Sequence, residues 1–160
     1  MSSSPFDDFR NHHKGIAAEL EAMEKTVEAL TARNMKSKAG DLGHIVHFLL
    51  DDLTPHAQAE EGVLYPPAEG LIKQHGKATA PLELEHRTLE ALISEFHDLA
   101  ESLPVADEQA LRRLQQVTRQ ISFLVRLHIE KEEQIVLPLL EQYLSPAEQQ
   151  SIMHRMHGHG

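Results

Sequence analysis

The chain has 160 residues, enough for one domain with a substantial buried core. It carries 25 Asp and Glu against 15 Lys and Arg, a formal net charge of -10, which argues against nucleic acid and against an anionic membrane surface as partners. It has no cysteine, which excludes disulfides, zinc–thiolate sites, iron–sulfur clusters and thiol catalysis.

Aromatics are only 4% and there is no Trp, so Leu, Ile, Val, Ala and Met must fill the interior. No apolar run reaches the roughly 18 residues that span a bilayer. The polar start Met1-Ser2-Ser3-Ser4 does not read as a signal peptide, so a cytoplasmic protein is the default expectation.

Four long segments place apolar residues at alternating steps of three and four, the pattern of amphipathic helices. The first opens with Ser4 as N-cap, Pro5 and an acid at Asp7, and its stripe is Phe6, Phe9, His13, Ile16, Leu20, Met23, Val27 and Leu30. Thr31 to Gly40 reads as a polar loop. Asp41 can cap the second helix, whose stripe is Leu42, Val46, Leu49, Leu53, His56, Glu60 and Val63, ending at Tyr65-Pro66-Pro67.

A loop from about Ala68 to Thr79 follows, with Gly70 and Gly76. The third helix begins at Pro81, carries Leu82, His86, Leu89, Ile93, Phe96, Ala100 and Leu103, and ends at Pro104. Asp107 can cap the fourth, with Leu111, Leu114, Thr118, Ile121, Val125, His128, Glu132, Ile135 and Leu139. Pro55 and Pro138 should kink their helices while the stripe continues through each in register. Ser145-Pro146-Ala147-Glu148 reads as a capping box that starts a short fifth helix toward Arg155.

The expected fold is therefore all-α: an antiparallel up-down four-helix bundle over residues 1–146, with a short helix and His-rich tail over 147–160. The chain also repeats itself. His56 to Pro66 reads HAQAEEGVLYP, and His128 to Pro138 reads HIEKEEQIVLP. Each half carries a further inward His on its preceding helix, His13 or His86. Two similar helix pairs imply an approximate internal two-fold axis and two equivalent sets of ligands.

Residues four apart on a helix share a face, so His56 pairs with Glu60 and His128 with Glu132. By heptad register His13, His86, Glu60 and Glu132 take one core position, and His56 and His128 the other. A bundle normally puts hydrocarbon there. A buried carboxylate costs several kcal/mol unless it is compensated, and the chain offers no matching set of inward Lys or Arg. Two cations solve the problem, with carboxylates bridging and each His capping one ion. Imidazole plus carboxylate without thiolate suits iron, manganese or zinc.

This pattern resembles the hemerythrin family, the domains with an HHE-type cation-binding signature, from about Phe6 to Leu144. The resemblance implies two metal ions in a di-iron centre of the Fe–O–Fe type. Its ligands would be His13, His56, Glu60, His86, His128 and Glu132. It also implies a small or gaseous ligand such as O2, NO or peroxide that is bound, sensed or detoxified. The competing expectations are a ferroxidase or peroxidase, and an iron storage, delivery or metal-responsive regulatory module.

The oxygen carriers of the family have HxxxH on the third helix. Here Glu90 follows His86, which counts against reversible oxygen carriage and makes Glu90 either a ligand or a rim residue. Their fourth-helix acid lies one place further on, at Glu133, whereas Glu132 keeps the core register here. His12 competes with His13, which alone keeps the seven-residue spacing with Phe6, Leu20 and Val27. Glu61 and Glu133 either orient ligand histidines or sit in solvent. His44, His47 and His97 read as exposed or rim residues. His154, His157 and His159 read as a frayed tail, and Tyr65, Phe48, Phe96 and Tyr143 as packing groups.

Overall fold

The computed structural model describes residues 4–31, 33–72, 79–102 and 108–157, with the side chains of Ile72 and His157 excepted. Every regular element among them is helical. Helix α1 spans Asp7–Glu28. A 3-10 turn at Met35–Lys38 leads into α2, Ala39–His47. Then come α3, Thr54–Ala59, and α4, Tyr65–Ile72. Helices α5, Ala80–Ser102, and α6, Glu108–Lys131, follow, then α7, Leu137–Tyr143, and α8, Pro146–His157. None of these helices is long and apolar enough to cross a membrane.

Three π-helical turns join these pieces into longer rods: Phe48–Leu53 between α2 and α3, Glu60–Leu64 between α3 and α4, and Glu132–Val136 between α6 and α7. Each closes with an i−5 bond, Thr54 N–H to Leu49 O, Tyr65 N–H to Glu60 O and Leu137 N–H to Glu132 O. In all three the next residue is proline, at 55, 66 and 138. A proline has no N–H to donate, and its ring crowds the carbonyl four residues back. The wider π turn moves that carbonyl away and lets the rod continue.

This corrects two expectations. The second rod does not stop at Tyr65-Pro66-Pro67 but runs on through α4 to Ile72, so Ala68 is helical and buried and not part of a loop. In the fourth rod the stripe does not pass Pro138 in register. The extra residue of the π turn rotates the helix, so Val136 and Leu140 are buried while Ile135 is 63% exposed. The expected polar loop at Thr31–Gly40 also contains structure: Met35 is buried and α2 begins at Ala39.

Asp41, read as the cap of the second helix, lies inside the first turn of α2, which begins at Ala39, whereas the starts at Ser4 and Ser145 follow the sequence. Ser4 N–H donates to Asp7 Oδ2 at 2.8 Å, and Ser145 N–H to Glu148 Oε2 at 2.8 Å, each satisfying an orphan donor of a first turn. Leu103, Pro104, Asp107, Gly76 and His159 lie outside the described residues.

Helix α1 packs on α6 and α2, and α5 packs on α6 and α2, so the four rods form a closed ring of neighbours. Two apolar clusters fill it. The larger holds Ile16 to Leu30 of the first rod, Leu42 to Leu53, Leu89 to Phe96, and Leu111 to Val125. The smaller holds Phe6, Phe9, Val63, Leu64, Leu82, Val136, Leu137 and Leu140, with Ile152, Met153 and Met156 of α8. In every rod the inward His or Glu falls between the residues of one cluster and those of the other. The buried His and Glu therefore form a layer across the interior between two mainly apolar clusters.

Candidate metal centre

Glu60 and Glu132 lie at the middle of that layer, 1% and 0% exposed. Each enters on the first residue of a π turn. Their oxygens divide between two His pairs. Glu60 Oε1 lies 2.8 Å from His56 Nε2 and 3.5 Å from His13 Nε2, while Oε2 lies 3.1 Å from His86 Nε2 and 3.6 Å from His128 Nε2. Glu132 repeats the division, with Oε2 at 3.4 Å from His13 Nε2 and Oε1 at 3.5 Å from His128 Nε2. The groups His13–His56–Glu60 and Glu60–His86–His128 each gather three metal-ligating atoms within 4.8 Å of one another.

Three of the imidazoles are held from behind. Nδ1 of His13, His86 and His128 meets Glu133, Glu61 and Glu85 at 3.2, 2.8 and 3.0 Å. A ring that donates its Nδ1–H outward presents the Nε2 lone pair inward, the usual arrangement of a metal-bound histidine. Lys131 in turn contacts Glu85. His86 Nε2 and His128 Nε2 stand 2.9 Å apart, a close pairing of two basic nitrogens that a shared cation would satisfy.

The electrostatics describe a site strained without such a cation. Burial raises the Glu132 carboxyl, and the charge of Glu60 raises it further. Burial also opposes ionisation of Glu60, but His56, His128 and His13 outweigh it and hold this carboxyl well below its ordinary value. Burial disfavours a charged His128, yet hydrogen bonds to Glu132 and Glu60 win and push it up to about 11. His56 is raised by the same contest, with Glu60 overcoming burial. His13 Nε2, His56 Nε2, Glu60 Oε1 and Glu132 Oε2 are all buried with no aligned hydrogen-bond partner. Three of these atoms, on His13, His56 and Glu60, lie within 4.8 Å of one another, and Glu132 Oε2 lies 3.4 Å from His13 Nε2, a set that fits a metal ion, since an orphaned buried polar atom otherwise costs ~1–3 kcal/mol.

The expected ligands largely assemble here. His13 is 1% exposed and faces the carboxylates, whereas the neighbouring His12 is exposed with its ring 4.6 Å from that of His56. Glu132 occupies the centre, and Glu133 stays behind His13. Glu90 is not brought to the site. It is exposed, because Leu89 takes the buried position and the next residue turns about 100° away. His44, His47 and His154 are exposed, and His97 is half-buried among the acids Asp98 and Glu101.

Two residues escape a stripe-based reading. Glu85 lies one place before His86, off the apolar stripe, yet it reaches across to His128 on another rod. Tyr65, which reads as a packing group, is 1% exposed and donates its hydroxyl to Glu132 Oε1 at 2.6 Å. Its Oη also lies 3.0 Å from His128 Nε2 and 3.5 Å from His86 Nε2. Burial and the nearby Glu60 and Glu132 charges raise the phenol above its ordinary value. The signal in the sequence was the residue just before the repeated proline, polar-tipped Tyr65 in the first half and Leu137 in the second.

An apolar pocket of about 10 Å³ lies against His56, Glu60, His86 and His128, walled by Ile16, Leu53, Leu89 and Val125 among others.

Comparison with known proteins agrees with this geometry. The chain is 28% identical over 153 residues to zinc finger protein BRUTUS of Arabidopsis thaliana, covering 95% of this chain but only 12% of that protein. No solved structure gives a significant match. The profile of the hemerythrin HHE cation-binding domain matches residues 4–140, and again 77–160 over the second half. With a profile spanning most of its length and its buried His and Glu drawn into one layer, the chain belongs to the hemerythrin HHE cation-binding domain family.

Proposed function

We propose that this chain holds two iron ions side by side and uses them to bind, sense or detoxify a small ligand such as O2, NO or peroxide. His13 and His56 would hold one ion, His86 and His128 the other, and Glu60 and Glu132 would bridge them. The observation that carries this reading is the division of both carboxylates: each turns one oxygen to each His pair. On the same reading the four rods run as an antiparallel up-down bundle whose halves repeat about an approximate two-fold axis.

The ions would supply one-electron redox chemistry and a coordination position for an exogenous ligand. The protein's own part is derived from its side chains. Glu61, Glu85 and Glu133 fix the imidazoles in one tautomer and one orientation. The two apolar clusters keep bulk water away and strengthen every electrostatic contact in the layer. The apolar pocket against His56, His86 and His128 is only about 10 Å³, at the lower limit for a single water, which supports a small ligand on that side of the site.

Elemental analysis of protein purified without added metal tests the reading, with iron expected at two per chain. Anaerobic loading with Fe(II) followed by air should then produce charge-transfer absorption in the near ultraviolet. Protein that takes up no metal, or that holds two irons and stays spectrally silent in air, would rule the proposal out.

A further inference from the structure

We infer that Tyr65 is itself a metal ligand, supplying a phenolate oxygen to the ion held by His86 and His128. This inference rests on the two-ion reading of the site. Ligands bound at ~2.1 Å and at right angles to one another sit ~3 Å apart. The donors at this end have that spacing. His86 Nε2 lies 2.9 Å from His128 Nε2 and 3.1 Å from Glu60 Oε2. Tyr65 Oη completes the set, 2.6 Å from Glu132 Oε1, 3.0 Å from His128 Nε2 and 3.5 Å from His86 Nε2. A group that served only to pack would not place its single polar atom at ligand spacing from three others.

The backbone explains how the hydroxyl gets there. Tyr65 follows the π turn that opens at Glu60, and its N–H closes that turn on Glu60 O. Its ring stacks on His86, centroids 5.8 Å apart and planes 15° from parallel, which fixes where Oη points. Glu90, the other candidate donor of the third rod, is at the surface. At the matching place in the second half stands Leu137, 0% exposed, so the other end of the site receives hydrocarbon where this end receives an oxygen. The two ions are thus unequally held, by five donors at one end and four at the other. When the ion binds, the phenolic proton leaves to solvent and the oxygen takes its place as an anionic donor.

The test uses the full chain loaded with iron and oxidised to Fe(III). Coordinated phenolate gives a visible phenolate-to-iron charge-transfer band and phenolate ring modes in a Raman spectrum excited within it. Both are expected in the wild type and, per iron, both should vanish in Tyr65→Phe. The chain has only one other tyrosine, Tyr143, which is 60% exposed, so the assignment is clean. Loss of the phenolate should also raise the Fe(III)/Fe(II) potential of the variant, because an anionic ligand favours the ferric ion. Two bound irons without phenolate modes in the wild type would overturn the inference, as would modes that persist in Tyr65→Phe. Either leaves the two-iron site standing. Failure of the wild type to take up two irons would defeat the site and the inference together.

Discussion

Glu60 and Glu132 show how much can be asked of one carboxylate. Each is fully buried, each touches both His pairs, and each is answered by imidazoles rather than by Lys or Arg. In the metal-free protein that answer takes the form of protons. His128 is pushed up to about 11 from an ordinary 6.5, because Glu132 and Glu60 outweigh its burial. A raised value stabilises the fold fully below pH 6.5, and this contribution is lost as pH rises toward 11. A metal ion must evict the same proton. Metal affinity should therefore climb with pH across the neutral range, with net proton release on binding. Calorimetric titration in two buffers of different ionisation enthalpy measures that release, and affinity independent of pH would contradict the assignment. Glu133 belongs to the same scale. Its Oε1 holds His13 Nδ1 at 3.2 Å, so Glu133→Gln should weaken metal binding by about 10–100-fold while leaving the helices intact. Competition with a chelator of known affinity gives the number, and circular dichroism the control.

The rods carry their irregularities at the site itself. A π turn begins on Glu60 and another on Glu132, and each is followed by a residue and then a proline. The sequence makes the prolines visible but not the means by which the helix survives them. Period-3.6 counting past Pro138 selects Ile135 and Leu139, whereas the extra residue brings Val136 and Leu140 inward. The contrast can be measured. Ile135→Ala should change stability by no more than ~0.5 kcal/mol, and Leu140→Ala should cost ~2–5 kcal/mol, read from urea midpoints. Equal effects at the two positions would put the register back where simple periodicity has it. The buried His and Glu of the central layer were legible for a related reason. His56–Glu60 and His128–Glu132 obey the i, i+4 rule within one helix and recur in both halves, so local spacing and repetition suffice to find them. Tyr65 and Glu85 were not legible, because their roles depend on a phase shift in one rod and on a contact between two. Glu90 misleads in the opposite sense: the motif draws attention to it, but its place beside Leu89 puts it in solvent.

At the scale of the molecule the interior is layered, with a mainly apolar cluster above and below and the buried His and Glu between. Helix α8 closes the smaller layer with Ile152, Met153 and Met156, and Arg10 ties the first rod to α7 through a two-pronged contact with Glu141 at 2.9 and 3.0 Å. Arg10 holds the Glu141 carboxyl below its ordinary value, so this link is in force at neutral pH and weakens as the medium is acidified through that lowered value.

The shared carboxylates also bear on how the two halves of the chain depend on each other. Each half owns a pair of histidines but borrows one oxygen from its twin: Glu132 Oε2 reaches the first half's His13, and Glu60 Oε2 reaches the second half's His86. On the two-ion proposal neither half would finish a coordination shell alone, and an ion at either end would act as a clasp across the seam. Residues 1–76 and 77–160 produced as separate polypeptides should therefore associate weakly when metal-free and tightly when metal is added, each ion lending its affinity to the union of the pieces. Sedimentation with and without a chelator would show it, and an association indifferent to metal would mean that hydrocarbon alone does the joining.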